Sequence, residues 1–162
     1  MNIQTEMIRR FNDARLRQVD LEFGLQSLVP VELHAINRPQ NIEHVKKGIA
    51  KLHELGLSFS VDLIYGLPLQ TLESWRYSVS KLQEWGVENI ATYPLVLFDG
   101  SALEQPSQRQ KYGFEVMSCC TQHIGMPCEC LKLPCVVSSN SFSFQDWQTM
   151  NNEALAIFHK LP

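Results

Sequence analysis

Three stretches of the chain alternate apolar and polar residues with the period of a β-strand, and two stretches between them carry the period of a helix. In "VDLEFGLQ" (19–26), Val19, Leu21, Phe23 and Leu25 fall on one face, and Asp20, Glu22, Gly24 and Gln26 on the other. In "LSFSVDLIYGLP" (57–68), Leu57, Phe59, Val61, Leu63 and Tyr65 alternate with Ser58, Ser60, Asp62 and Ile64. A third strand is predicted within "ENIATYPLVLF" (88–98). Between them, "NIEHVKKGIAKLHELG" (41–56) places Ile42, Val45, Ile49, Leu52 and Leu55 on one helical stripe, with Asn41 as cap and Gly56 as stop. "TLESWRYSVSKLQEWG" (71–86) does the same with Leu72, Trp75, Val79, Leu82 and Trp85, between Thr71 and Gly86. Strands alternating with helices over short connections predict a parallel sheet with right-handed crossovers.

The flanks are less regular. Ile8, Phe11 and Ala14 predict a helix over 5–17. "DGSALEQPSQRQKYG" reads as a loop with a short helix, and 118–141 shows no clear period. "SFSFQDWQTMNNEALAIFHKL" predicts a closing helix, with Ser143 and Asp146 as its capping box and Trp147, Met150, Ala154, Leu155 and Phe158 as its apolar face.

The second face of the strands changes the picture. Glu22, Gly24 and Gln26 lie on it in the first strand, and Ser58, Ser60 and Asp62 in the second. An open sheet covered by helices on both sides would be apolar on both. Polar residues there suit a barrel, or part of one, whose lumen holds a polar ligand at the C-terminal ends of the strands. Those ends are Gln26-Ser27, Asp62 to Gly66, and Tyr93-Pro94-Leu95.

Composition narrows the alternatives. The 162 residues are 44% apolar, enough for an ordinary globular core, and the net charge of −3 gives no reason to expect nucleic acid or an anionic membrane as partner. No apolar run suits a signal peptide or a membrane span, so a cytoplasmic setting is expected. The five cysteines, Cys119, Cys120, Cys128, Cys130 and Cys135, are clustered. They suit solvent-facing thiols better than a metal site, because their spacing matches no regular zinc ribbon. His34, His44, His53, His123 and His159 show no ligand spacing, and no nucleophile motif supports a hydrolase.

"LEFGLQS", "INRPQN", "VDLIYGLPLQTLESW" and "YPLVLFDGSALE", in that order, resemble the later half of a radical S-adenosylmethionine (radical SAM) enzyme. The likeness is greatest to the branch that includes cobalamin-binding radical enzymes and oxygen-independent coproporphyrinogen oxidases. It implies an incomplete (βα) barrel, here about three parallel strands with covering helices, followed by an irregular segment ending in a helix. It implies S-adenosylmethionine held beside a 4Fe–4S cluster for 5′-deoxyadenosyl-radical chemistry, and leaves cobalamin open for a full-length relative. By the same resemblance Gln26 approaches the ribose and methionine part of the cofactor, Arg38 pairs with its carboxylate, and Asp62 accepts from its ribose hydroxyls. The backbone at Ile64, Tyr65 and Gly66 packs on adenine, Leu95 closes the adenine pocket, and Glu6 of "QTE" is a candidate for the methionine amino group.

The sequence departs from the family in one respect: it has no Cys-x3-Cys-x2-Cys loop. Three thiolates of that loop hold a cluster whose fourth iron is open to the cofactor. Residues 1–105 are therefore expected to form the C-terminal half of a partial barrel, and 106–162 an extension with a cysteine-rich loop and terminal helix. The cluster ligands are expected outside this chain, on an N-terminal half or a partner that completes the barrel. The alternative is a non-catalytic remnant or interaction module that folds only with such a partner.

Overall fold

The computed structural model describes residues 21–120 and 132–158. The predicted helix over 5–17, the start of the first strand, and Cys128 and Cys130 lie outside them. The elements are β1 (Leu21–Gln26), α1 (Pro30–Ala35), α2 (Ile42–Glu54), β2 (Phe59–Tyr65), α3 (Leu72–Glu84), β3 (Asn89–Pro94), a 3₁₀ turn (Ala102–Glu104), α4 (Pro106–Tyr112), β4 (Glu115–Cys120), β5 (Lys132–Ser138) and α5 (Phe144–Phe158). β1, β2 and β3 form a parallel sheet in that order, and β4 and β5 an antiparallel ribbon.

Local chemistry sets the ends of the helices. The Asn41 side chain accepts from the His44 amide to start α2, and Thr71 with Ser74 forms a reciprocal capping box on α3. At α5, the Ser143 amide donates to Asp146 over 2.9 Å and the Asp146 amide donates back to Ser143 Oγ over 3.2 Å. Gly56 and Gly86 follow α2 and α3 with φ of 62° and 78°, where an L side chain would be strained.

The alternation of β2 decides the layering. Phe59, Val61, Leu63 and Tyr65 are all buried, while Ser60, Asp62 and Ile64 between them are only half-buried. The buried row joins Ile49 and Leu52 of α2, Trp75 and Leu82 of α3, and Met150 and Ala154 of α5 in one core. Tyr65 sets its ring edge-on to Trp75 at 5.7 Å and donates its hydroxyl to Asn151 Oδ1 over 2.9 Å. The β4–β5 ribbon extends this layer, because the Val136 amide donates to Leu95 O and the Leu97 amide to Pro134 O, both over 2.9 Å. Core residues come from both sides of residue 105. No helix among the described residues is long and apolar enough to cross a membrane.

Several expectations change. The second and third strands are shorter than their patterns: β2 covers Phe59–Tyr65 and β3 ends at Pro94. The loop after β1 contains α1, started by Pro30 at its first position. The segment 118–141, without visible period, supplies the end of β4 and all of β5 in pairing with each other. Phe23 belongs to the apolar face of β1 but is 38% exposed, since β1 lies at the edge of the described sheet; it stands opposite Val61 and its ring meets Phe59 edge-on at 6.3 Å.

Leu63 is fully buried at the centre of the sheet. Leu63→Ala is expected to destabilise the fold by about 3 kcal/mol, read as a lower denaturation midpoint in urea at unchanged slope.

Candidate functional site

The strand register builds the second face of the sheet row by row. Glu22 stands opposite Ser60 and Ser60 opposite Asn89; Gly24 stands opposite Asp62 and Asp62 opposite Ala91; Ile64 stands opposite Tyr93. Asp62 is therefore flanked by a residue with no side chain and one with a single methyl. That pair leaves room above the carboxylate that larger neighbours would fill.

β1 then breaks its own alternation. A bulge between Gly24 and Gln26 sets Gln26, rather than Leu25, opposite Leu63. Gln26 takes a φ of 69°, an uncommon conformation for a non-glycine residue, and is buried. Bulges re-aim side chains, and here the Gln26 amide turns back over Gly24. A Cβ added to Gly24 would lie 2.6 Å from Gln26 Nε2 and 3.7 Å from an Arg38 guanidinium nitrogen. Glycine at 24 thus leaves the space that the Gln26 amide occupies, while Arg38 lies at ordinary contact distance. The Leu25 carbonyl left by the bulge accepts from Gln40 Nε2 over 3.1 Å. A shallow groove of about 570 Å³ beside β1 is lined by Glu22, Gly24, Asn37, Arg38 and Gln40.

Asp62 is the electrostatic centre of this face. Its Oδ1 is shielded from solvent and has no hydrogen-bond partner. Burial, followed by the neighbouring Glu22 carboxyl, pushes its pKa up to about 6. Tyr93 is raised as well, by burial first and then by the charges of Asp62 and Glu22. The Asp62 carboxyl, with its Oδ1 unpartnered and Glu22 beside it, lies on the same face as the exposed guanidinium of Arg38. Such a face suits a ligand with hydroxyl donors at one end and a carboxylate at the other.

The structure thus gathers Gln26, Arg38 and Asp62 around Gly24 at neighbouring strands. Ile64 shares their face, but its carbonyl is already taken by Gln70 Nε2 over 3.2 Å. Tyr65 turns its side chain into the helix-covered core, and its carbonyl accepts from the Leu95 amide over 2.8 Å. Gly66 has a φ of 87°, and a Cβ there would lie 3.2 Å from Val136 O and 3.8 Å from Phe142. The close approach that requires glycine at 66 is made by the protein itself. Leu95 is buried beside it. Glu6 lies outside the described residues. Of the cysteines, Cys135 is buried in β5, and Cys119 and Cys120 belong to β4. Among the described residues no three His, Cys, Asp or Glu side chains are placed to hold a metal ion.

Glu22, Ala91 and Tyr93 belong to this face and were not singled out as ligands from the sequence. The alternation of the first strand already put Glu22 on this face, whereas the places of Ala91 and Tyr93 beside Asp62 and Ile64 come from the β2–β3 register, visible only when the strands are paired.

No family model matches the chain. It is 28% identical over 109 residues to the heme chaperone HemW of Lactococcus lactis subsp. lactis, covering 67% of this chain and 28% of that protein. It is 33% identical over 84 residues to the mouse radical S-adenosyl methionine domain-containing protein 1, mitochondrial, covering 51% of this chain and 19% of that protein. Among solved structures, the Escherichia coli coproporphyrinogen III oxidase HemN, described as a radical SAM enzyme, superposes with a TM-score of 0.56 at 20% identity, over 94% of this chain and 29% of that one. The chain spans less than a third of the length of each.

Asp62 binds a proton more readily folded than unfolded, so stability falls as pH rises from about 4 through about 6 and stays lower above. Asp62→Asn removes that loss. With solvent on the open side screening much of the charge, the variant is expected to gain about 1 kcal/mol at pH 7 and almost nothing at pH 4, measured by urea unfolding at both.

Proposed function

The chain is a relative of the radical SAM proteins, and from that premise we propose that it forms the later strands of an incomplete (βα) barrel and binds S-adenosylmethionine on the open face of its sheet. The observation that carries this reading is the partnerless Oδ1 of Asp62 between Gly24 and Ala91, on the face where Arg38 and Gln26 converge over Gly24. A buried acceptor of this kind is costly unless a donor arrives. The two ribose hydroxyls of the cofactor are such donors.

Each residue then has a task. Asp62 accepts from the ribose, and above about pH 6 it is ionised for that purpose. Arg38, exposed at the mouth of the groove, pairs with the methionine carboxylate. Gln26, fixed by the bulge, spans the two. Ile64 offers an apolar surface beside Asp62, and the backbone hydrogen bond from the Leu95 amide to Tyr65 O ties the ends of β2 and β3 into one wall. The described residues provide no set of ligands for an iron–sulfur cluster. Because the sequence has no Cys-x3-Cys-x2-Cys loop, we assign those ligands to an N-terminal half or a partner chain that completes the barrel at β1. When bound beside such a cluster, S-adenosylmethionine supplies 5′-deoxyadenosyl-radical chemistry.

Titration calorimetry with S-adenosylmethionine tests the reading. Saturable binding is expected for the chain itself. Arg38→Ala removes a charge-assisted pair of ~1.5–3 kcal/mol, which at ~1.4 kcal/mol per decade weakens affinity by roughly ten- to a hundredfold. Stability is expected to change by less than about 0.5 kcal/mol, as for other exposed positions. No binding to the unaltered chain would favour the non-catalytic module instead; equal binding by the variant would remove Arg38 from the site.

A further inference from the structure

Glu32 is a carboxylate with no exposed surface, on a six-residue helix, and it has no cationic partner among the described residues. Its partners are all neutral. Ser27 Oγ donates to its Oε2 over 2.6 Å, Gln70 Nε2 donates to the same oxygen over 3.3 Å, and Ser74 Oγ donates to Oε1. Burial raises its pKa, and these three donors oppose that rise. A buried acid costs stability that an apolar residue would not, so its presence calls for a role.

The partners lie in different loops. Ser27 is the residue after Gln26 and also accepts from the Val29 amide over 2.9 Å, which fixes the turn after β1. Gln70 fixes the turn after β2: its Oε1 accepts from the Gly66 amide over 2.7 Å and the Leu67 amide over 3.2 Å, while its Nε2 donates to Ile64 O. Ser74 belongs to the capping box of α3. One carboxylate therefore joins the turn that carries Gln26, the turn that carries Ile64 to Gly66, and the start of the following helix.

We propose that Glu32 is a positioning residue, whose carboxylate sets the spacing between the turns after β1 and β2 and so the distance from the Gln26 amide to the Ile64–Gly66 backbone. That these turns hold S-adenosylmethionine rests on the functional reading above; that Glu32 couples them does not.

The test follows amide exchange and S-adenosylmethionine binding together. In Glu32→Ala the Gly66 and Leu67 amides are expected to exchange at least about tenfold faster, for loss of roughly 1.4 kcal/mol of local protection, while amides at the centre of β2 keep their rates after correction for global stability. Affinity for S-adenosylmethionine is expected to fall about tenfold in parallel. Glu32→Gln should restore both to within about threefold, because the serine hydroxyls can turn to accept from the new amide. If Glu32→Ala does not fold, Ser27→Ala, which cuts one strut, is expected to speed Gly66 exchange by about threefold. Unchanged Gly66 and Leu67 exchange in whichever variant folds would overturn the proposal, as would equal acceleration at every amide. Failure of Glu32→Gln to rescue would also overturn it. If the unaltered chain does not bind S-adenosylmethionine, the functional reading falls, and the exchange data still decide the role of Glu32.

Discussion

The burial of one face of β2 is the constraint on which the rest depends. Phe59, Val61, Leu63 and Tyr65 each contribute a large side chain to a core shared with α2, α3 and α5. Burying a side chain of this size contributes roughly 1.5–3 kcal/mol, and a slip by one residue would turn all four outward. The parity of the strand is therefore fixed with a large margin. That margin holds Asp62 on the opposite face, where its Oδ1 has no partner and burial beside Glu22 costs stability.

A core strong enough to carry one unfavourable carboxylate carries other local costs nearby. Gln26 holds a left-handed backbone conformation at a bulge, and Glu32 is buried with neutral partners among the described residues. These lie at the C-terminal ends of β1 and β2 or in the loops that follow. Conflicts between local preference and global fold collect at functional sites, because a preorganised site needs groups held where they are not most stable. The caps of α2 and α3 are satisfied, although α3 does bury the Trp75 indole nitrogen without a partner among the described residues.

The turn after β2 shows how the two kinds of demand are kept apart. Gly66 is confined by Val136 and Phe142, and the Tyr65 side chain by Trp75 and Asn151. Its sequence, Tyr-Gly-Leu-Pro, thus serves the joint between the parallel sheet and the β4–β5 ribbon as well as any ligand. A short motif can match a family because it packs correctly, and only the neighbours of each atom separate packing from binding.

The sequence by itself determined the β-α-β-α-β order, the caps at Asn41, Thr71 and Ser143, and the parity of β2. Each depends on residues close together in the chain: a two-residue or 3.6-residue period, or a side chain reaching its own helix end. It also pointed to Gln26, Arg38 and Asp62, through a motif order that resembles one family. Tertiary structure alone decided the rest. The β4–β5 ribbon has no local period because its register is set by cross-strand pairing. The bulge at Gln26, the rows that flank Asp62 with Gly24 and Ala91, and the burial of Glu32 between two loops depend on contacts between residues far apart in sequence. A chain read in order does not reveal such contacts, because their geometry exists only once the strands are paired and the helices packed.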